Sequence, residues 1–108
     1  MAKFLLIESQ DPFASNDGGH FYDLATSLAR AANQVTLVLT QAGVLAARAG
    51  EHTFWFAALA GHGVEVLADE RSLRERGIPD ARLSPGVKAT STDTVVDRLS
   101  EGRRTLRH

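Results

Sequence analysis

Apolar residues in this chain follow two rhythms, and the alternation between them predicts the architecture. Lys3-Phe4-Leu5-Leu6-Ile7 is a short unbroken apolar run. Such a run suits a central strand covered on both faces. Gln34–Thr40 and Val64–Ala68 read the same way, and Val87-Lys88-Ala89 is a shorter fourth strand. Between the first two runs, Phe21, Leu24, Ala25, Leu28, Ala29 and Ala32 recur at helical spacing. Asp17 is placed to cap that helix, and Asn33 to end it in a left-handed conformation. Gln41 to Ala49 is alanine-rich and predicts a helix stopped by Gly50. A strongly apolar helix spans Thr53 to Ala60, and a short one spans Arg71 to Arg76, closed by Gly77. Ser91 or Thr92 can cap a last helix through Val95, Val96 and Leu99, and Thr105-Leu106 suits a final edge strand.

The predicted order is β-α-β-α-α-β-α-β-α-β. It implies a three-layer α/β/α domain on a mostly parallel sheet of about five strands. A chain of 108 residues is one domain, 1–108. Five strands and their helices fit that length only with short connections. The loop from Ser9 to Gly19 is the exception, and long loops in compact domains are often functional.

Composition removes several kinds of chemistry. There is no cysteine, so thiolate catalysis, disulfides and iron–sulfur clusters are excluded. The net charge of -1 and the lack of a basic stripe argue against nucleic acid. The apolar start is too short for a membrane span or a leader. A cytoplasmic protein without membrane attachment is expected. His20, His52, His62 and His108 never fall at the spacing that sets two imidazoles on one helical face, so no metal and no cofactor is expected.

Three places could carry function. In the first, Ser9, Asp11, Gly18, Gly19 and His20 lie on the long loop and the helix start, where free N–H groups could hold an anion. No P-loop or dinucleotide fingerprint is present, and a plain turn is the favoured reading. In the second, Asp69 ends the third strand, where ligands gather in open parallel sheets. It could serve as a general base with Ser72 nearby. The favoured reading is a helix cap, with Ser72 at the right offset to interact with it. Arg71 and Glu75 make an i,i+4 pair on a solvated face. The third place is Phe54-Trp55-Phe56, three rings that cannot all face one way on a helix. At least one must leave the local core, under a loop or into a subunit interface.

The order Gly63-Val64-Glu65-Val66, then Leu73-Arg74-Glu75-Arg76-Gly77-Ile78, then Gly86-Val87-Lys88 before Thr92–Leu99, resembles the DsrE/DsrF-like family. That family includes the TusD-type sulfur-relay subunits, and the likeness covers nearly the whole chain. It implies a DsrE-like fold and an assembly, either a homo-oligomer such as a trimer or hexamer, or a hetero-oligomer of related subunits. In sulfur-transferring members a cysteine stands eight residues before the glycine of the Arg-Gly pair, which is Asp69 here. A second Cys or Ser is frequent three residues later, at Ser72. A carboxylate cannot accept a sulfane sulfur. The resemblance therefore implies a non-transferring, oligomeric protein that binds a ligand or partner. A small enzyme using Asp69 as base, and an anion or nucleotide binder at Gly18-Gly19, are the alternatives.

Overall fold

The computed structural model describes residues 2–11, 17–50 and 53–107, and only the backbone of 17–21. The strands are β1 (Lys3–Glu8), β2 (Gln34–Leu39), β3 (Glu65–Asp69), β4 (Val87–Thr90) and β5 (Arg104–Arg107). The helices are α1 (Asp17–Arg30), α2 (Thr53–Gly61), α3 (Glu70–Glu75) and α4 (Thr92–Ser100). The strands form one sheet in the order β4-β3-β2-β1-β5, and every neighbouring pair is parallel. All their carboxyl ends therefore lie along one edge of the domain.

Alternation along each strand gives the sheet two faces, covered unequally. On one face Leu6, Leu37, Leu39, Val66 and Ala68 pack with Tyr22 and Ala25 of α1, Phe56 and Leu59 of α2, and Leu73 of α3. On the other, Leu5, Ile7, Val38 and Leu67 are buried, with Val95 of α4 packed against them. The result is three layers, one of them a single helix. Tyr22 joins α1 to α2 by edge-on contacts with Trp55 and Phe56, at centroid separations of 5.3 and 5.8 Å. Such contacts add specificity to area burial.

Helix ends account for most of the punctuation. Residues 28–33, 59–64 and 73–78 all close a helix by the paired backbone bonds of a Schellman turn. One example is the Ile78 N–H donating to Leu73 O at 2.9 Å while the Gly77 N–H donates to Arg74 O at 3.1 Å. Gly63 and Gly77 take the left-handed position in two of them. In the first that position belongs to Ala32, at φ 66°, and not to Asn33. Asn33 stands one residue on, where Nδ2 donates to Leu28 O and Oδ1 accepts from the Ala2 N–H. Its side chain ties α1 to the start of β1, and that tie offsets the strain at Ala32. A second difference is at Gln41–Ala47, which winds as a 3-10 helix. It passes so close to β1 that a Cβ at Gly43 would collide with the Glu8 carbonyl.

Candidate functional site

Two clefts lie on the thinly covered face. The first is at the amino ends of the strands, about 420 Å³, and Lys3, Glu65, Arg98, Glu101 and Arg103 border it. Four of its five charges are paired with one another, Arg98 and Arg103 with Glu65 and Glu101, and Lys3 is in no ion pair among the described residues. Arg98 grips Glu65 with two bonds, Nε to Oε1 at 2.8 Å and Nη2 to Oε2 at 3.0 Å. Arg103 donates to the hydroxyl of Thr36 at 2.8 Å, to Phe4 O at 3.3 Å and to Glu101. The Arg98 hydrogen bond holds the Glu65 carboxyl below the usual carboxylate range, against the opposing effect of partial burial. This arrangement is a clamp that fastens α4 and β5 to the sheet and engages both arginines and both carboxylates of the cleft.

The second cleft, about 410 Å³, opens at the carboxyl ends. Ile7 and Val38 give it an apolar floor, and Val95 and Leu99 of α4 an apolar wall. Its rim carries Thr40, Gln41, Asp69, Arg71, Ser72 and Arg107, among others. Asp69 has extended backbone at the N-cap of α3. One carboxylate oxygen, Oδ2, accepts from the Ser72 N–H at 3.0 Å and from the Ser72 hydroxyl at 2.7 Å. The same hydroxyl oxygen accepts the Gln41 N–H at 2.8 Å. A chain of hydrogen bonds thus runs from Asp69 through buried Ser72 to Gln41, which holds a left-handed φ of 51°. Asp69 is both a cap and a border of the cleft.

Most of the other residues singled out in the sequence lie elsewhere. Ser9 and Asp11 are half-buried just past β1, and neither borders the cleft at Asp69. Asp11 acts on the opposite side of the sheet, where its charge is felt at Tyr22. Burial first, then the charges of Glu8 and Asp11, push the Tyr22 phenol well above its ordinary pKa. Gly18, Gly19 and His20 fall in the first turn of α1, and the side chain of His20 is outside the described residues. His52 and His108 are likewise outside them. Among the described residues no group of acidic and imidazole side chains could hold a metal, and no helix is long and apolar enough to cross a membrane. Arg71 and Glu75 do border the Asp69 cleft, where they make their exposed i,i+4 pair at 3.3 Å. Of the three aromatic residues of α2, Phe56 is buried, Trp55 is half-buried, and Phe54 is 85% exposed.

Residues 2–107 match the profile of the DsrE/DsrF-like family. The chain belongs to that family. Its general setting is sulfur metabolism. Three solved structures have the same fold. The DsrE-like chain is 22% identical to the protein of unknown function MTH1491 from Methanobacterium thermoautotrophicum, with a TM-score of 0.79 and all of both chains covered. It is 18% identical to the ychN protein from E. coli, with a TM-score of 0.83 over all of both chains. It is 15% identical to the conserved protein of unknown function BT1422 from Bacteroides thetaiotaomicron, with a TM-score of 0.78 over 98% of this chain and 94% of that one. No curated protein matches the sequence. No local pattern in the sequence marks Thr40, Gln41 and Arg107 as members of the Asp69 site. Only the fold brings the ends of β2 and β5 beside it.

Proposed function

We propose that this DsrE-like protein carries no sulfane sulfur and acts as an oligomeric subunit that binds a small ligand or a protein partner. The observation that carries the reading is the state of Asp69. At the position where the resemblance implies a cysteine, the chain has a carboxylate whose Oδ2 is already engaged by the backbone and hydroxyl of Ser72. With no cysteine anywhere in the sequence, no other side chain can hold a persulfide. The same engagement gives Asp69 a structural task and leaves Oδ1 alone for the alternative role of general base. Support for assembly, either with itself or with related subunits, comes from α2. Phe54, Ala57, Ala58 and Gly61 are exposed on one side of a helix whose other side is core. A helix apolar all round is normally covered all round.

Two measurements test the reading. Light scattering on purified protein should give a mass of several protomers, reduced by Phe54→Asp. After incubation with a persulfide donor, intact-mass spectra should show no sulfur adduct on the wild type, whereas Asp69→Cys becomes modifiable. A monomeric wild type, or covalent sulfur on it, overturns the proposal.

A further inference from the structure

We infer that the cleft beside Asp69 binds a small organic monoanion with an apolar body, such as a medium-chain carboxylate. This makes the ligand half of the proposed function specific and rests on it. Size comes first. About 410 Å³ lies in the range of small-molecule sites, which span roughly 300–1,000 Å³. The position is the carboxyl edge of an open parallel sheet, where such ligands collect.

Chemistry narrows the class. Ile7 and Val38 below, with Val95 and Leu99 beside them, offer a hydrocarbon surface and no hydrogen-bonding group from their side chains. A purely polar ion gains nothing there. The charges on the rim then choose the head group. Arg71 is paired with Glu75. The charge of Asp69 faces two donors from Ser72. The formal charges of the lining balance, two arginines against Asp69 and Glu75, but the side chain of Arg107, at the end of β5, has neither an ion pair nor a hydrogen bond among the described residues, so its guanidinium is the cation open to a ligand. Guanidinium and carboxylate match in shape and charge.

Gln41 supplies an independent indication. A glutamine at φ 51° is strained, and strain of this kind collects where a backbone must be aimed. Here the Ser72 hydroxyl fixes the Gln41 N–H, and the exposed residue borders the cleft with its carboxamide free to turn toward a head group. Asp69 and Ser72 are then positioning residues: they hold Gln41, and Arg107 and Gln41 meet the anion.

The test is isothermal titration of the whole protein with octanoate, octanol and octylammonium, together with amide shift mapping. Octanoate should bind saturably. It should bind about tenfold more tightly than either comparator, the scale of one charge-assisted hydrogen bond. Arg107→Gln, an exposed change whose folding circular dichroism can verify, should remove that preference. Leu99→Asn should weaken octanoate and octanol alike. Shifts should centre on Val38, Gln41 and Val95. Absence of saturable binding, equal affinity for the three head groups, an unchanged Arg107→Gln variant, or shifts centred on Phe54 and Trp55 each overturn the inference. None of these results alters the oligomer mass or the sulfur-transfer result, so the broader proposal stands or fails by its own readouts.

Discussion

Removing the Asp69 carboxylate is the most informative perturbation of this domain. In Asp69→Ala, α3 loses its N-cap, a change that costs about 1–2 kcal/mol. Ser72 is only 5% exposed, and its hydroxyl loses its acceptor at 2.7 Å. A buried donor left without a partner costs about 1–3 kcal/mol. The hydroxyl can turn toward Thr40, whose oxygen lies 3.4 Å away, and recover part of that. The expected net loss is about 2–3 kcal/mol. For a domain near this size that lowers Tm by roughly 10 °C or more. Asp69→Asn keeps a side-chain carbonyl as acceptor and a good capping residue, so it should cost about 1 kcal/mol or less. Urea and thermal unfolding of the three proteins at equal protomer concentration measure both numbers, since assembly couples to stability. If Asp69→Ala falls within about 0.5 kcal/mol of the wild type, or if Asn is as damaging as Ala, the carboxylate is not the structural cap described.

Gly43→Ala should be among the most damaging small changes, because the new methyl group meets the Glu8 carbonyl, which is backbone. A loss of about 3 kcal/mol or failure to fold is expected, read from soluble yield and urea midpoint; a wild-type midpoint refutes the close approach. Below about pH 4.5 stability should fall as Glu65 is protonated. Its carboxyl is held down in the fold by Arg98, so the contribution is present above the ordinary carboxylate value and lost as pH drops through the lowered one. Arg98→Met should flatten that acid limb and cost only about 1 kcal/mol at neutral pH, because Arg98 is 25% and Glu65 41% exposed. Parallel acid limbs would contradict this. Tyr22 is the single tyrosine, so phenolate absorbance reports on it alone. Since its pKa is raised in the fold, stability present below the ordinary value of about 10 should decline above it. Phenolate should appear together with unfolding; ionisation in the still-folded protein refutes the burial argument.

What is legible in the sequence, and what is not, divides along chain separation. The strands and α1 can be read because their signals are local: unbroken apolar runs, a 3.6-residue rhythm and turn residues at their ends. The Asp69–Ser72 cap is legible for the same reason, with its partners three residues apart. Asn33 misleads because propensity assigns asparagine to the left-handed position, whereas the bond from the Ala2 N–H, 31 residues away, assigns it another task. The same limit hides the clamp at the amino ends of the strands. Arg98 and Glu65 are 33 residues apart, and Arg103 and Thr36 are 67 apart. Nothing in either neighbourhood distinguishes these side chains from solvated ones. The alanine-rich surroundings of Gln41 favour an α-helix; the close passage of Gly43 over Glu8 tightens that segment into 3-10 geometry instead.

The residue at position 69 can be understood as a choice between two uses of one location. A thiol there would be a weaker acceptor than a carboxylate for the Ser72 N–H, so a chemically competent cysteine would cap a six-residue helix poorly. A carboxylate gives up sulfur chemistry and gains the cap, the Ser72 hydroxyl and, through it, a fixed Gln41. Sites that act are commonly less stable than their inert counterparts, and replacing the acting group tends to raise stability. On that argument Asp69→Cys should be less stable than wild type, though it regains a thiol. The loss should be about as large as that of Asp69→Ala, since neither side chain restores a strong acceptor for Ser72. A cysteine variant as stable as the wild type would mean that the cap gives Asp69 no advantage over a thiol.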